Sequence, residues 1–255
     1  MDPRTNALND VLGSLNQKYG NNTVMRLGDT IPQSGETLST GYDALDRAIG
    51  GGYPCGRIVE IYGPENSGQT SLALNAILSC QEAGCTAAFV DVQHSFNMED
   101  AKRIGVKMNH LLFAQPCNLE QALDIVHSLV SSGAVDLVIV NSVAALVPQA
   151  ELQGYDDGPQ CSQARLMSKA LRLLTEAAQR TNTTVIFFNQ LRPKVGVTFG
   201  PTEETAGGNA LKYYTSLRLE VRVAGDHSKV KVVKNKALPP FQEVLISPIC
   251  EEGSR

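Results

Sequence analysis

No stretch of eighteen apolar residues occurs anywhere in this 255-residue chain, so no segment is expected to span a membrane. The N-terminus, Met1-Asp-Pro-Arg-Thr-Asn6, is polar and lacks an apolar signal region. Cytoplasm is therefore the expected compartment; an organelle stroma or matrix would suit the same chain after removal of a presequence. The six cysteines form no C-x-x-C pair and histidine occurs only four times, so spacing offers no metal site. Cys55, Cys80, Cys85, Cys117, Cys161 and Cys250 read as reduced thiols. A net charge of -4 excludes a global basic field, and any contact with nucleic acid has to come from a local patch. Internal repeats and low-complexity segments are missing too.

What remains is 42% hydrophobic, enough for a sizeable core in one large domain with a small appendage. Leu8, Val11, Leu12, Leu15 and Tyr19 fall at helical spacing, and Gly20 is a natural stop. That stripe suits a helix folded on its own core or one docked on a neighbouring subunit. Residues 1–36 are read as helix and linker, and 37–255 as the main domain. From about Thr37 the pattern alternates between apolar strands (57–62, 87–91, 136–141, 184–189) and helices (70–83, 119–132, 163–181). Continuous apolar strands separated by helices predict an α/β fold, its mostly parallel sheet covered on both faces. Leu217 to Val223 alternates strictly and Val230 to Val233 follows a polar turn, which predicts an antiparallel extension with one wet face. Gly200 to Gly208 is the most loop-like stretch.

The chemistry concentrates at Gly63-Pro64-Glu65-Asn66-Ser67-Gly68-Gln69-Thr70-Ser71. This is a phosphate-binding loop, G-x-x-x-x-G-K-[ST], in every position but one: Gln69 stands where lysine belongs. Such loops work because successive backbone N–H groups and the start of the next helix converge on phosphate. Thr70 would offer a hydroxyl to Mg2+. Gln69 can donate a hydrogen bond but carries no charge, and a charge-assisted bond is roughly twice as strong as a neutral one. The loss weighs most in the transition state of phosphoryl transfer.

Arg57-Ile-Val-Glu-Ile-Tyr-Gly-Pro-Glu-Asn-Ser-Gly68 resembles the bacterial RecA recombinase family. So do Ser131 to Asp136, Asn141 to Leu146, Gly207 to Lys212, Val232 to Lys236, Val24 to Gly28 and Ser39 to Gly41. The resemblance runs from about Ala7 to Phe241 and implies a RecA-type P-loop NTPase core with an N-terminal oligomerisation helix. It also implies a small C-terminal domain, for which no counterpart is seen here. Three departures cluster. The family has lysine at Gln69, the water-activating glutamate at Gln93, and the magnesium-side aspartate at Asn141. Each exchanges a charge for an amide, and an amide is no proton acceptor at neutral pH. Asn97 and Asp100 stand where the family uses aspartate and the tyrosine that covers adenine.

Other family positions are kept. Gln190 matches the glutamine that senses the terminal phosphate. Arg192, Lys194, Phe199, Thr205, Gly207, Gly208 and Asn209 match the DNA-binding loop that follows it. Lys234 and Lys236 match lysines that reach across a subunit boundary. Arg165 survives beside a second DNA loop, Gly154 to Ser162, which is one residue short and carries two acids. The resemblance thus implies a recombination and repair protein that binds single-stranded DNA, or associates with itself or an active recombinase. ATP or ADP with Mg2+ would be held weakly and not hydrolysed. The alternatives are an active DNA-dependent ATPase with a rearranged site, and a scaffold that binds neither ATP nor DNA.

Overall fold

The computed structural model describes residues 2–20, 23–26, 35–154, 159–193 and 203–247, with side chains at 159–162 and 193 left aside. Contacts divide the chain into two units, Met1–Glu36 and Thr37–Arg255. In the first, α1 (Pro3–Tyr19) starts with Asp2 accepting a bond from the Arg4 N–H, and Pro3 follows where a helix tolerates it. The Gly20 N–H closes the far end on Asn16 O at 3.0 Å. Val24 folds back on α1 through paired 3.1 Å bonds with the Asn16 amide. No residue of α1 is buried, and Leu8 and Val11 are about half exposed.

In the second unit β1 (Thr37–Leu38), α2 (Asp43–Ile49) and β2 (Tyr53–Pro54) come first. β3 (Ile58–Gly63) then runs into the glycine-rich loop and α3 (Gln69–Glu82). Next are β4 (Ala87–Asp91), α4 (Met98–Ile104), β5 (Leu111–Ala114), α5 (Leu119–Ser131) and β6 (Leu137–Asn141). After a 3-10 turn at Val143–Ala145 come α6 (Gln149–Leu152), α7 (Pro159–Thr181) and β7 (Thr184–Pro193). The chain continues with β8 (Glu203–Thr205), α8 (Ala210–Tyr214), β9 (Leu217–Ala224), β10 (His227–Asn235) and β11 (Glu243–Ile246).

Among the described residues the main sheet runs β11-β10-β9-β3-β7-β6-β4-β5, with β8 added to β7. Pairs from β9 to β5 along that order are parallel. β9–β10, β10–β11 and β7–β8 are antiparallel. This is the RecA-like α/β architecture the sequence predicts, antiparallel extension included. Strand side chains alternate between faces. Val59, Ile61, Phe89, Ile139 and Phe188 enter one core with Leu72 and Ile77 of α3. Ile58, Val90, Val138 and Phe187 enter the other with Val126 of α5 and Leu171 of α7. Both faces being dry, β3 and β4 are buried along their whole length, which explains the apolar run of β4 up to Asp91 and leaves Glu60 as the charged exception within β3. β9 instead alternates buried and half-buried residues over Leu217 to Val221.

One expectation is corrected. The stretch read as loop at 200–208 contains β8, where Leu191 faces Thr205 and Arg192 faces Glu204. Among the described residues no helix is long and apolar enough to cross a membrane.

Candidate nucleotide-binding site

The loop leaves the C-terminal end of β3, the end at which parallel sheets receive ligands. Gly63 lies in register with Gln190 of β7. Only glycine fits there: a Cβ on Gly63 would come 2.1 Å from the Val221 carbonyl oxygen. Gly68 has φ 98°, and a Cβ on it would meet Ser228 Oγ at 2.2 Å. Asn66 takes φ 58°, a left-handed conformation that a short amide side chain tolerates. Pro64 is half-buried, Glu65 exposed, and Ser67 and Ser71 buried, which leaves Thr70 as the exposed hydroxyl at the helix start. No side chain caps α3, so its first N–H groups and the positive end of its dipole face the loop.

The missing lysine has a structural counterpart that spacing alone does not reveal. Gln69 Nε2 donates to Gly63 O at 3.2 Å and lies 3.5 Å from Ser67 Oγ. The amide thus ties the last turn of the loop to its first residue.

Beyond α3 a small cleft of about 20 Å³, room for roughly one water, is lined in part by Gln69, Thr70, Phe89, Ser95, Phe96 and Asn141. Asn141 Nδ2 donates to Ser95 Oγ at 3.0 Å. The Asn141 carbonyl accepts from Val92 N at 2.7 Å and Gln93 N at 3.1 Å. Gln69 and Asn141 are therefore brought to one cleft, while Gln93, half-buried, is fastened beside Asn141 through its backbone. Asn97 caps α4, accepting from Glu99 N at 2.9 Å and Asp100 N at 3.3 Å. Asp100 pairs with Arg103 at 2.7 Å. Phe96 packs on Phe89 and Phe113 with centroids 4.9 and 5.2 Å away, an apolar wall the sequence did not signal.

A magnesium nucleotide fits this donor set in part. The uncapped N–H groups suit phosphate, and Thr70 suits the metal ion. Two buried oxygens, Asp91 Oδ1 and Ser142 Oγ, have no hydrogen-bond partner. A cation for the outer phosphates is what the loop lacks.

On the opposite face of β3 lies a buried network that sequence reading passed over. Glu60, wholly buried, accepts from Arg218 Nε at 2.5 Å and from Asn189 Nδ2 at 2.9 Å. Asn189 also donates to Ala206 O and accepts from the Gln190 N–H, each at 2.9 Å. Gln190 is thereby joined to the segment entering Gly207 and Gly208.

The positions matched to DNA contact are dispersed in what they touch. Arg192 Nη2 donates to Ala144 O at 3.0 Å. Gly207 and Gly208, both at positive φ, sit so close to Val143 and Ala164 that a Cβ would lie 2.6 and 2.9 Å from their side chains. Asn209 accepts from Lys212 Nζ at 3.0 Å, and Arg165 is exposed on α7. Lys194 and Phe199 lie outside the described residues, as do 155–158 of the other loop. Lys234 Nζ donates to the carbonyls of Lys212 and Tyr213 at 2.8 and 3.2 Å, closing the C-terminal end of α8. Burial, then the nearby cations Lys236 and Arg218, pull its pKa down. Lys236 is exposed.

Residues 6–255 match the family model described as the RecA N-terminal domain. The chain belongs to the RecA family. Protein RecA of Acinetobacter baylyi is 50% identical, over 99% of this chain and 76% of its own length. Protein RecA of Chloroherpeton thalassium is also 50% identical, over 99% and 74%. That of Streptomyces venezuelae is 50% identical over 98% and 69%. RecA membership accounts for the β3–loop–α3 unit and the sheet order around it. The amide at position 69 and the bond it makes to Gly63 are this chain's own observed features.

Proposed function

We propose that this RecA-family chain serves DNA recombination and repair as a binding subunit, without turning over ATP. It meets single-stranded DNA or enters filaments with copies of itself or with an active recombinase. The observation that carries this reading is the pairing of Gln69 with Gly63 O. The side chain that would meet phosphate is engaged within its own loop. Asn141 is likewise engaged with Ser95, as a donor. Gln93 and Asn141 bring no carboxylate to the places where the family activates water and holds Mg2+. Loss of a general base alone typically costs about 100- to 10,000-fold in rate. What supports retained binding is the uncapped start of α3 and the exposed Thr70, which suit a loosely held ADP or ATP with Mg2+.

For DNA, the reading rests on Arg192 near the end of β7, on Gly207, Gly208 and Asn209 after β8, and on Arg165 of α7. Phosphate contacts of this kind are salt-dependent. For association, it rests on the uncovered stripe of α1 and on Lys234 and Lys236. The deciding experiment is phosphate release by the purified chain with and without single-stranded DNA, alongside strand exchange by an active RecA mixed with it. Expected are no release and an altered exchange rate. ATP cleavage that Thr70→Ala abolishes would replace this reading with an active DNA-dependent ATPase. No effect on exchange and no salt-dependent shift of a labelled oligonucleotide would leave only a scaffold.

A further inference from the structure

The turn that joins α3 to β4 has cysteine at both of its closing positions. The Gly84 N–H donates to Gln81 O at 3.2 Å, and the Cys85 N–H donates to Cys80 O at 2.9 Å. Gly84 takes φ 78°. Two such bonds around a left-handed glycine make a Schellman cap, which brings the side chain just past the glycine onto one in the last helical turn. Here both of those side chains carry sulfur, and they meet: the Cys80 S–H donates to Cys85 Sγ. Cys85 Sγ in turn lies 4.0 Å from Ala83 O. Cys80 is fully buried and Cys85 half-buried, so one sulfur meets solvent and the other backs it from inside. A disulfide asks for Cα atoms about 4.4–6.8 Å apart with side chains facing each other. One direct backbone hydrogen bond, with ordinary covalent lengths on either side, cannot hold the two residues farther apart than that. Cys55 packs on the same core but has no place in the turn.

We propose that Cys80 and Cys85 form a reversible oxidation site, a dithiol that hydroperoxides convert to a disulfide within the chain. Cys85 loses its proton and its sulfur attacks one oxygen of the peroxide. The O–O bond breaks, the departing alkoxide takes up a proton, and Cys85 becomes a sulfenic acid. Cys80 then loses its proton, its sulfur attacks Cys85 Sγ, and the hydroxyl leaves as water. Two thiols and one peroxide yield one disulfide, one water and one alcohol, or a second water where the oxidant is hydrogen peroxide. Burial, then the Asp136 carboxylate, raises the Cys85 thiol, and burial foremost pushes Cys80 from 9.0 to about 12. Little thiolate forms at neutral pH, so the first step is slow and the site answers excess peroxide, not traces. The second step is intramolecular, with the partner sulfur already in contact. It captures Cys85 before the irreversible sulfinic stage. The site thus turns damage at a half-buried thiol into a bridge that a dithiol reductant opens again.

The test treats the full chain with excess hydrogen peroxide, then maps its peptides by mass spectrometry before and after dithiothreitol. Expected is a Cys80–Cys85 link, with both thiols regained on reduction. In Cys80→Ala the link is gone and Cys85 proceeds to sulfinic acid, which dithiothreitol does not reverse. Cys85→Ser, at the half-buried position, leaves Cys80 unoxidised, and serves if the core variant does not fold. Phenylarsine oxide, which bridges closely spaced thiols, gives a readout without peroxide: the reduced chain binds it at this pair, and either variant loses that binding. A bridge from either cysteine to Cys55 or to a second chain overturns the proposal. So does sulfinic acid at Cys85 of the unaltered chain, or a pair left intact by peroxide that oxidises the exposed Cys117. Absence of arsenical binding at the pair overturns it as well.

Discussion

Glu60 and Arg218 face one another across the parallel β3–β9 pair, and Arg218 Nε reaches Glu60 Oε2 at 2.5 Å inside the sheet. The Arg218 guanidinium also lies 4.7 Å from the centre of the Tyr62 ring, one residue before the phosphate loop. Removing one member of such a pair strands a buried charge. Arg218→Met is expected to cost about 3–5 kcal/mol in urea unfolding. Glu60→Leu added to it recovers a large part, since an apolar pair leaves no orphaned carboxylate. A double variant as unstable as the single one would show that the network, not the charge, is what matters.

Lysine returned to position 69 tests the loop itself. In Gln69→Lys the ammonium supplies a charge-assisted bond to phosphate, worth about 1.5–3 kcal/mol. ADP affinity by calorimetry then rises about tenfold or more. An unchanged affinity would mean that the loop is shaped wrongly for phosphate, whatever stands at 69.

Turnover is expected to need all three charges. Gln93→Glu alone yields no phosphate release. Gln69→Lys, Gln93→Glu and Asn141→Asp combined raise release at least about 100-fold over the unaltered chain. The measurement is steady-state phosphate release with single-stranded DNA present.

Gly63→Ala and Gly13→Ala are expected to move stability in opposite directions. The added methyl at 63 would press into the Val221 carbonyl, for about 1–3 kcal/mol lost by overpacking. At 13, within α1, nothing lies within 4 Å, and alanine gains up to about 1 kcal/mol of helix propensity. Melting temperatures of the two variants report the signs.

Alkaline pH is expected to unfold the chain. Burial pushes the phenols of Tyr42 and Tyr62 up from 10.0 to about 12, and raises that of Tyr53 further. Between pH 10 and 12 the folded form therefore holds protons that the unfolded chain releases. The stabilisation is whole below pH 10 and is lost as pH climbs through that window. Tyrosinate absorbance and circular dichroism should change together, and Tyr42→Phe should blunt the loss.

The parts of the fold legible in the sequence are those buried on both sides. Ala87 to Asp91 and Leu137 to Asn141 read as strands because every residue is apolar until the last. β5 was not legible: Leu112 and Phe113 are nearly half exposed on the sheet's edge, so no long apolar run or clean alternation forms. The one-turn α6 and the short α2 and α4 carry too few residues for a helical period to show. At the site, the glycine pattern and the missing lysine at 69 could be read from spacing, whereas the amides at Gln93 and Asn141 stood out only against the RecA family's pattern. The unpartnered oxygen of Asp91 could not, because it depends on which atom Phe96 N takes. Nor could Glu60, which looks like the polar beat of a strand until Arg218, distant in sequence, folds against it.

Fastening Gln69 to Gly63 O also settles how this molecule keeps its shape when alone. Here the curl is buttoned from within: an uncharged amide spans the turn and closes it without an anion.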